Sequence, residues 1–290
     1  MIAAAPISYA RAIILGAVQG VSELFPISSL GHAVILPKVL GWDIHQNDKY
    51  FISFLVALHL ATALVLLGFF WRDWVRIVAG LGRSLRDRGI APDDSDAKLG
   101  WLLVVGTIPA GILGLAFQDK LAKVFASATS AALFLTLNGV MLLLAERLRR
   151  RAPQTDSDDD TRIARQVGWS QAVGVGAAQA LSLIPGFSRS GAAMSGGLRV
   201  GLSNEDAARF AFLLATPLIG AAALLKLPEL LGSEGNGVRG PALAGALAAA
   251  VTAYLSIRFL MRFFETRTLL PFAIYSLCVG IGTSIYFAVS

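Results

Sequence analysis

Gly16-Ala17-Val18-Gln19-Gly20-Val21-Ser22-Glu23-Leu24-Phe25-Pro26-Ile27-Ser28-Ser29-Leu30-Gly31-His32 returns in altered form as Gly176-Ala177-Ala178-Gln179-Ala180-Leu181-Ser182-Leu183-Ile184-Pro185-Gly186-Phe187-Ser188-Arg189-Ser190-Gly191. Each stretch runs from a Gln through a Pro to a pair of hydroxyls and then a Gly. Gln19 matches Gln179, Ser28 matches Ser188 and Gly31 matches Gly191. The surroundings of both are apolar, so the polar groups are costly there and need a purpose.

The rest of the chain explains why the surroundings are apolar. Hydrophobic residues make up 55% of the 290, and mean hydropathy is +0.65. Several apolar runs reach the length of a bilayer, which identifies a polytopic membrane protein of the all-α class. Six full spans are predicted near 51–70, 99–117, 130–147, 208–226, 240–257 and 270–289. Two further apolar regions, 8–42 and 169–201, do not fit as spans. They break at Phe25-Pro26 and at Pro185-Gly186, and each arm of about 15 residues is shorter than the ~20 needed to cross. Proline ends a helix and frees backbone groups that lipid cannot satisfy. Each region therefore reads as a re-entrant helical hairpin buried by its neighbours.

On this reading the chain has three parts. Residues 1–148 form a first repeat, 149–168 a charged linker and 169–290 a second repeat, each repeat being one hairpin followed by three spans. Phe54-Leu55-Val56-Ala57 and Phe212-Leu213-Leu214-Ala215 are a second internal likeness. Three crossings per half force the halves to be inverted relative to each other, with a site expected between them near the midplane. The linker's Asp156-Ser157-Asp158-Asp159-Asp160 lacks the Gly and terminal Glu of a calcium loop and reads as solvated sequence.

Charge sets the expected orientation. Segments 71–98, 148–168 and 258–269 hold six, five and three Lys or Arg. The alternate segments 1–50, 118–129 and 226–239 hold three, two and two. The first set is expected on the cytoplasmic side. The two hairpins then enter from opposite faces and meet inside the membrane. The net charge of +6 is spent in these loops, and no basic stripe with interleaved aromatics indicates nucleic acid. The lone Cys278 excludes an intrachain disulfide framework, and no removable signal peptide is expected, since no basic n-region or small-residue cleavage site is seen.

The tips carry the chemistry. Gln19 and Glu23 share a helix face at i, i+4, and a carboxylate in a bilayer marks function unless it is paired purely for structure. Ser28 and Ser29, and Ser188 and Ser190, stand at expected helix starts, where free N–H groups favour anions and hydroxyls can equally serve as caps. His32 follows Ser29 by about one turn, an arrangement suited to a nucleophile and base. Arg189 brings a guanidinium fork suited to phosphate. Together these describe a phosphate-binding, phosphoryl-transferring site within lipid, so the substrate is expected to be a lipid phosphate or diphosphate. Gly106, Gly111, Gly114, Gly196 and Gly197 are expected to allow close helix packing. The Gly174-Val175-Gly176 start of a dinucleotide fingerprint lacks its third Gly. Trp42, His45, Trp71 and Trp74 read as interfacial. His59 lies within a span, either facing the site or simply packed.

Gln19-x-x-x-Glu23, Pro26-x-Ser28-Ser29-x-Gly31-His32, Pro185-Gly186-Phe187-Ser188-Arg189-Ser190-Gly191 and Phe210-Ala211-Phe212-Leu213-Leu214-Ala215-Thr216-Pro217 closely resemble undecaprenyl-diphosphate phosphatase of the bacitracin-resistance type. The resemblance implies a bacterial inner-membrane enzyme that hydrolyses undecaprenyl diphosphate, recycles the cell-wall lipid carrier and opens toward the periplasm. It implies catalytic roles for Glu23, Ser29, His32 and Arg189, with Gln19 beside Glu23 in the acidic motif. The chemistry of the tips makes Gln19, Ser28, Ser188, Ser190 and Gln179 the expected substrate-binding residues. The resemblance also implies a divalent cation, Mg2+ or Ca2+, near Glu23 and Gln19. Leu30 and Ala193 stand where the family often has Thr, and Gln19 where it often has Glu. The attacking group stays open between Ser29 and an activated water. The expected partners are the polyprenyl diphosphate and the membrane. A homodimer stays open, since the sequence does not give the oligomeric state. The alternative is a transporter carrying polyprenyl phosphate through the same anion site.

Overall fold

A computed structural model describes residues 7–44, 49–125, 127–149, 162–232 and 236–289. Their regular elements are all helices, with no strand among them. The helices are α1 (Tyr9–Ser22), α2 (Ser29–Val39), α3 (Lys49–Phe69), α4 (Trp71–Arg86), α5 (Ser95–Phe125), α6 (Ala128–Arg149), α7 (Arg162–Gln166), α8 (Trp169–Gln179), α9 (Arg189–Val200), α10 (Asn204–Leu231), α11 (Arg239–Phe264) and α12 (Leu270–Val289). Six of them, α3, α5, α6, α10, α11 and α12, are long and apolar enough to cross a membrane. They coincide with the six predicted spans, extended by a few residues at several ends. Their outer faces expose large apolar side chains such as Leu115, Leu225, Leu247 and Ile285, which suits contact with lipid tails.

The two interrupted regions break where the sequence requires. α1 stops at Ser22, and the chain turns through Glu23-Leu24-Phe25-Pro26-Ile27 before Ser28 caps α2. α8 passes through a 3-10 turn, Ala180–Leu183, and crosses Pro185-Gly186 before Ser188 caps α9. α1 packs on α2, and α8 on α9.

α10 runs through the largest apolar cluster, where Phe210, Phe212, Leu213 and Leu214 are fully buried. It packs along α3, which buries Phe54 completely. The breaks are held by helices that approach closely. A Cβ on Gly16 of α1 would fall on the backbone of Gly245 in α11. A Cβ on Gly176 of α8 would fall on the backbone of Gly106 in α5. Gly176→Leu is expected to cost on the order of 3 kcal/mol or more, because backbone cannot move aside as a side chain does. A fall in unfolding temperature in detergent would register it. Unchanged unfolding would show that α5 and α8 need no such contact.

Several expectations are corrected. Gly196 and Gly197 are closely packed, but Gly111 has open space where its Cβ would be, and Gly114 makes only ordinary contact. The 71–98 loop contains the helix α4. Trp71 is exposed there as an interfacial residue should be, but Trp74 packs against the core. The end of the 149–168 linker is not solvated: it forms α7, with Ile163, Ala164 and Val167 buried and Arg162 paired to Asp206 at 2.9 Å. Ile163 and Val167 are the apolar groups that draw it in. Asp156–Asp160 and His45 lie outside the described residues.

Candidate active site

Each break puts a helix start beside the other break. Ser28 caps α2 by accepting a hydrogen bond from the Gly31 N–H at 3.1 Å, and Ser188 caps α9 by accepting from the Gly191 N–H at 3.1 Å. Ser28 has φ 68°, a left-handed conformation that costs a non-glycine residue about 1–2 kcal/mol. Its position brings a return, because Ser28 Oγ also accepts from the Gly186 N–H of the second break at 3.2 Å. Gly186 has φ 108°, and a side chain there would strike the Ala131 carbonyl, so both the conformation and the space demand Gly.

Asn138 of α6 ties the breaks further. Its Nδ2 donates to the Pro26 carbonyl at 2.9 Å, and its Oδ1 accepts from the Ser188 N–H at 3.0 Å. Asn138 is fully buried. Asn138→Ala would leave a buried C=O and a buried N–H unpaired and is expected to cost about 2–4 kcal/mol. The measurement is thermal unfolding of the purified chain. Wild-type stability would mean the breaks are fixed by other contacts. Nothing in the sequence singled Asn138 out beyond its being an amide within an apolar span.

With the breaks joined, Glu23 becomes the centre of a polar cluster. Its Oε2 accepts from Ser29 Oγ at 2.5 Å and from Gln19 Nε2 at 2.9 Å, and His59 Nε2 stands 3.5 Å from the same oxygen. Its Oε1 lies 3.5 Å from Arg189 Nη1. Arg189 also donates from Nε to Ser182 Oγ at 3.4 Å. Ser188 and Ser190 share a hydrogen bond at 3.0 Å, and Ser190 donates to the Glu23 carbonyl at 3.5 Å. The first amides of α2 and α9 lie beyond reach of any intrahelical acceptor, so two positive helix ends face this cluster.

The sequence-predicted serines, His32 and Arg189 therefore fall into two groups. Ser28, Ser188 and Ser190 are buried and engaged in capping or in tying the breaks together. Ser29, His32 and Arg189 are half-buried and reachable from outside. The expected pairing of Ser29 with His32 is not formed. Ser29 donates to Glu23, while His32 Nδ1 donates to the Ser28 carbonyl at 2.7 Å and His32 Nε2 accepts from Tyr275 Oη at 2.9 Å. One helical turn of separation put the two side chains on one face but did not aim them at each other. His59, which the sequence left undecided, faces the site and fixes its ring by donating from Nδ1 to the Leu55 carbonyl at 2.8 Å. Gln179 is fully buried, and neither polar atom of its side chain has a hydrogen-bond partner.

No group of three or more His, Cys, Asp or Glu side chains among the described residues is arranged to hold a metal. Two oxygen donors are present, the Glu23 carboxylate and Gln19 Oε1, which is buried without a hydrogen-bond partner. Both are oxygens of the type a hard cation takes, but Gln19 turns its Nε2 toward Glu23, so its Oε1 would share a cation with that carboxylate only with the amide turned over.

The family described as "Bacitracin resistance protein BacA" matches residues 12–282. The chain belongs to this family. A relative from Mycolicibacterium paratuberculosis, named undecaprenyl-diphosphatase, is 48% identical over 98% of this chain and 99% of its own length. One of the same name from Mycobacterium avium is equally similar, at 48% over the same shares. Undecaprenyl-diphosphatase 2 of Chromobacterium violaceum is 43% identical over 93% of this chain and 96% of its own length. Both interrupted regions and all six apolar helices fall almost wholly within the family match, so the polar cluster belongs to the part of the chain that the family shares.

Proposed function

We propose that this chain hydrolyses undecaprenyl diphosphate to undecaprenyl phosphate and inorganic phosphate. The observation that carries the reading is Ser29, a helix-start hydroxyl held against the Glu23 carboxylate with Arg189 alongside, in a chain whose relatives are named for this hydrolysis. Arg189 and the free amides of α2 and α9 bind the diphosphate oxygens and take up charge as it develops on them. Ser29 Oγ attacks the terminal phosphorus and passes its proton to Glu23 Oε2. The bond from that phosphorus to the bridging oxygen breaks, and the lipid monophosphate leaves. Water then cleaves the phosphoserine, and Glu23 returns the proton. A divalent cation held by Glu23 and Gln19 together with the substrate would neutralise phosphate charge. Rapid quenching of a reaction with terminally labelled substrate should trap label on Ser29. Full turnover by Ser29→Ala would move the attack to water.

His32 serves this reading as an oriented neighbour rather than as the base for Ser29. Tyr275→Phe frees His32 Nε2 and is expected to lower kcat about 3–10-fold with little change in KM, since one neutral hydrogen bond contributes about 0.5–1.5 kcal/mol. Steady-state kinetics would show it, and an unchanged kcat would leave His32 without a positioning partner.

The two breaks are re-entrant hairpins of two inverted repeats on this reading. The reciprocal contacts support it: α1 meets α11 through Gly16 and Gly245, as α8 meets α5 through Gly176 and Gly106. The bacterial inner membrane is the expected location, with the Arg-rich α4 side cytoplasmic by loop charge and the site open to the periplasm. Carrying a lipid phosphate across the membrane is not favoured. Transport needs the Arg189 clamp but not a hydroxyl hydrogen-bonded to a carboxylate.

A further inference from the structure

At 3.6 residues per turn, Trp71, Val75, Val78 and Leu85 of α4 form one stripe, and all four are exposed. Ile77, Gly80 and Ser84 form the buried side against α5. Arg72, Arg76, Arg83 and Arg86 fall together on a third side, next to the exposed apolar stripe. A helix that is packed on one side, greasy on a second and cationic on a third lies in the plane of a membrane interface. Its position agrees, because α4 begins where the apolar span of α3 ends.

The arginines are not equivalent. Arg83 is matched by Asp94 through two hydrogen bonds of 2.8 and 2.9 Å, and Arg86 by Asp87 at 2.8 Å. Arg76 and Arg209 of α10 share one oxygen of Asp73, at 2.5 and 2.7 Å. Arg72 has no carboxylate partner among the described residues, and its guanidinium lies 5.4 Å from the centre of the Trp71 ring. Trp71, Arg72, Asp73, Val75, Arg76 and Arg209 line an open cavity of about 640 Å³. Arg72 gives that cavity a cation with no carboxylate partner among the described residues, and its rim carries apolar side chains that water does not favour.

We propose that this cavity binds the headgroup phosphate of an anionic phospholipid, with the acyl chains lying along Trp71, Val75 and Val78. The charge calls for a phosphate, and the apolar rim selects a lipid over free phosphate. The site is separate from the Glu23 cluster. From His59 to the end of α3 at Phe69 the helical rise alone is roughly 15 Å.

The test uses the full chain in phosphatidylcholine vesicles containing graded amounts of brominated phosphatidylglycerol or brominated phosphatidylcholine. Quenching of Trp71, isolated by difference from Trp71→Phe, reports which lipid occupies the rim. Wild type is expected to prefer phosphatidylglycerol by roughly fivefold or more, as a basic site at a membrane surface does. Arg72→Gln should bring the ratio toward one, and Arg72→Lys should retain most of it. Unfolding temperatures of the variants check that each is folded. Equal quenching by both lipids, an unchanged preference in Arg72→Gln, or loss of the preference on adding inorganic phosphate would each overturn the proposal, the last by showing a site for free phosphate.

Discussion

Glu23→Gln is expected to lower kcat/KM for phosphate release from a polyprenyl diphosphate by about 10³-fold or more. Gln has the shape of Glu but no charge, and it replaces one acceptor with a donor. Ser29 Oγ and Gln19 Nε2 both donate to Glu23 Oε2, so the substitution removes the proton acceptor for Ser29 and disturbs the fit with Gln19. It also leaves Arg189 without the charge that faces it at 3.5 Å. Removing one partner of a buried ion pair costs about 3–5 kcal/mol. The side chain of Arg189 is 21% exposed, and that solvent contact places the cost at the low end or below. Activity should therefore fall much further than stability. Initial rates with excess substrate, read beside the unfolding temperature, separate the two. A folded Glu23→Gln protein that turns over normally would remove Glu23 from the proton path.

Arg189→Lys is expected to lower kcat/KM by about 10²-fold, and Arg189→Ala by about 10³-fold or more. Lysine keeps the charge but loses the planar fork that grips two phosphate oxygens at once. Arg189 also starts α9, so its reach is set by the cap at Ser188 and by Asn138 behind it. A clamp that tightens as the phosphorus is attacked loses kcat, whereas one that merely holds the substrate raises KM. Measuring both constants for Arg189→Lys distinguishes these cases. Wild-type values in both would show that charge alone suffices.

Much of the fold was legible because a membrane enforces simple rules. Apolar length marked the six spans, and Pro26 and Pro185-Gly186 marked the breaks. α4 was harder to see. Its arginines made the segment look like a loop, although their spacing places them on one side of a helix. α7 was missed for a related reason: five residues beside a charged run give too little period to read, and Ile163 and Val167 are buried only because other helices surround them.

The site residues were legible as types at helix starts, since a carboxylate, a guanidinium and paired hydroxyls are conspicuous in apolar sequence. Their partners were not. Asn138 joins Pro26 and Ser188 across separations of 112 and 50 residues, and His32 meets Tyr275 across 243. Local spacing suggested that Ser29 would pair with His32, but a competing acceptor decided otherwise. Glu23 offers Ser29 a charged oxygen, while the Ser28 carbonyl and Tyr275 engage both ring nitrogens of His32.

The sequence by itself determined that this chain is helical, lies in a membrane, breaks twice within apolar sequence and carries at each break the residue types that phosphate chemistry uses. These follow from local energetics: the cost of exposed backbone in lipid, the stiffness of proline and the expense of buried charge. Only the tertiary structure decided that Glu23 is shared by Ser29, Gln19, His59 and Arg189, and that Asn138 and Ser28 hold the breaks together. Those outcomes depend on hydrogen-bond distances of about 3 Å between residues far apart in the chain. Such distances are set by how whole helices pack.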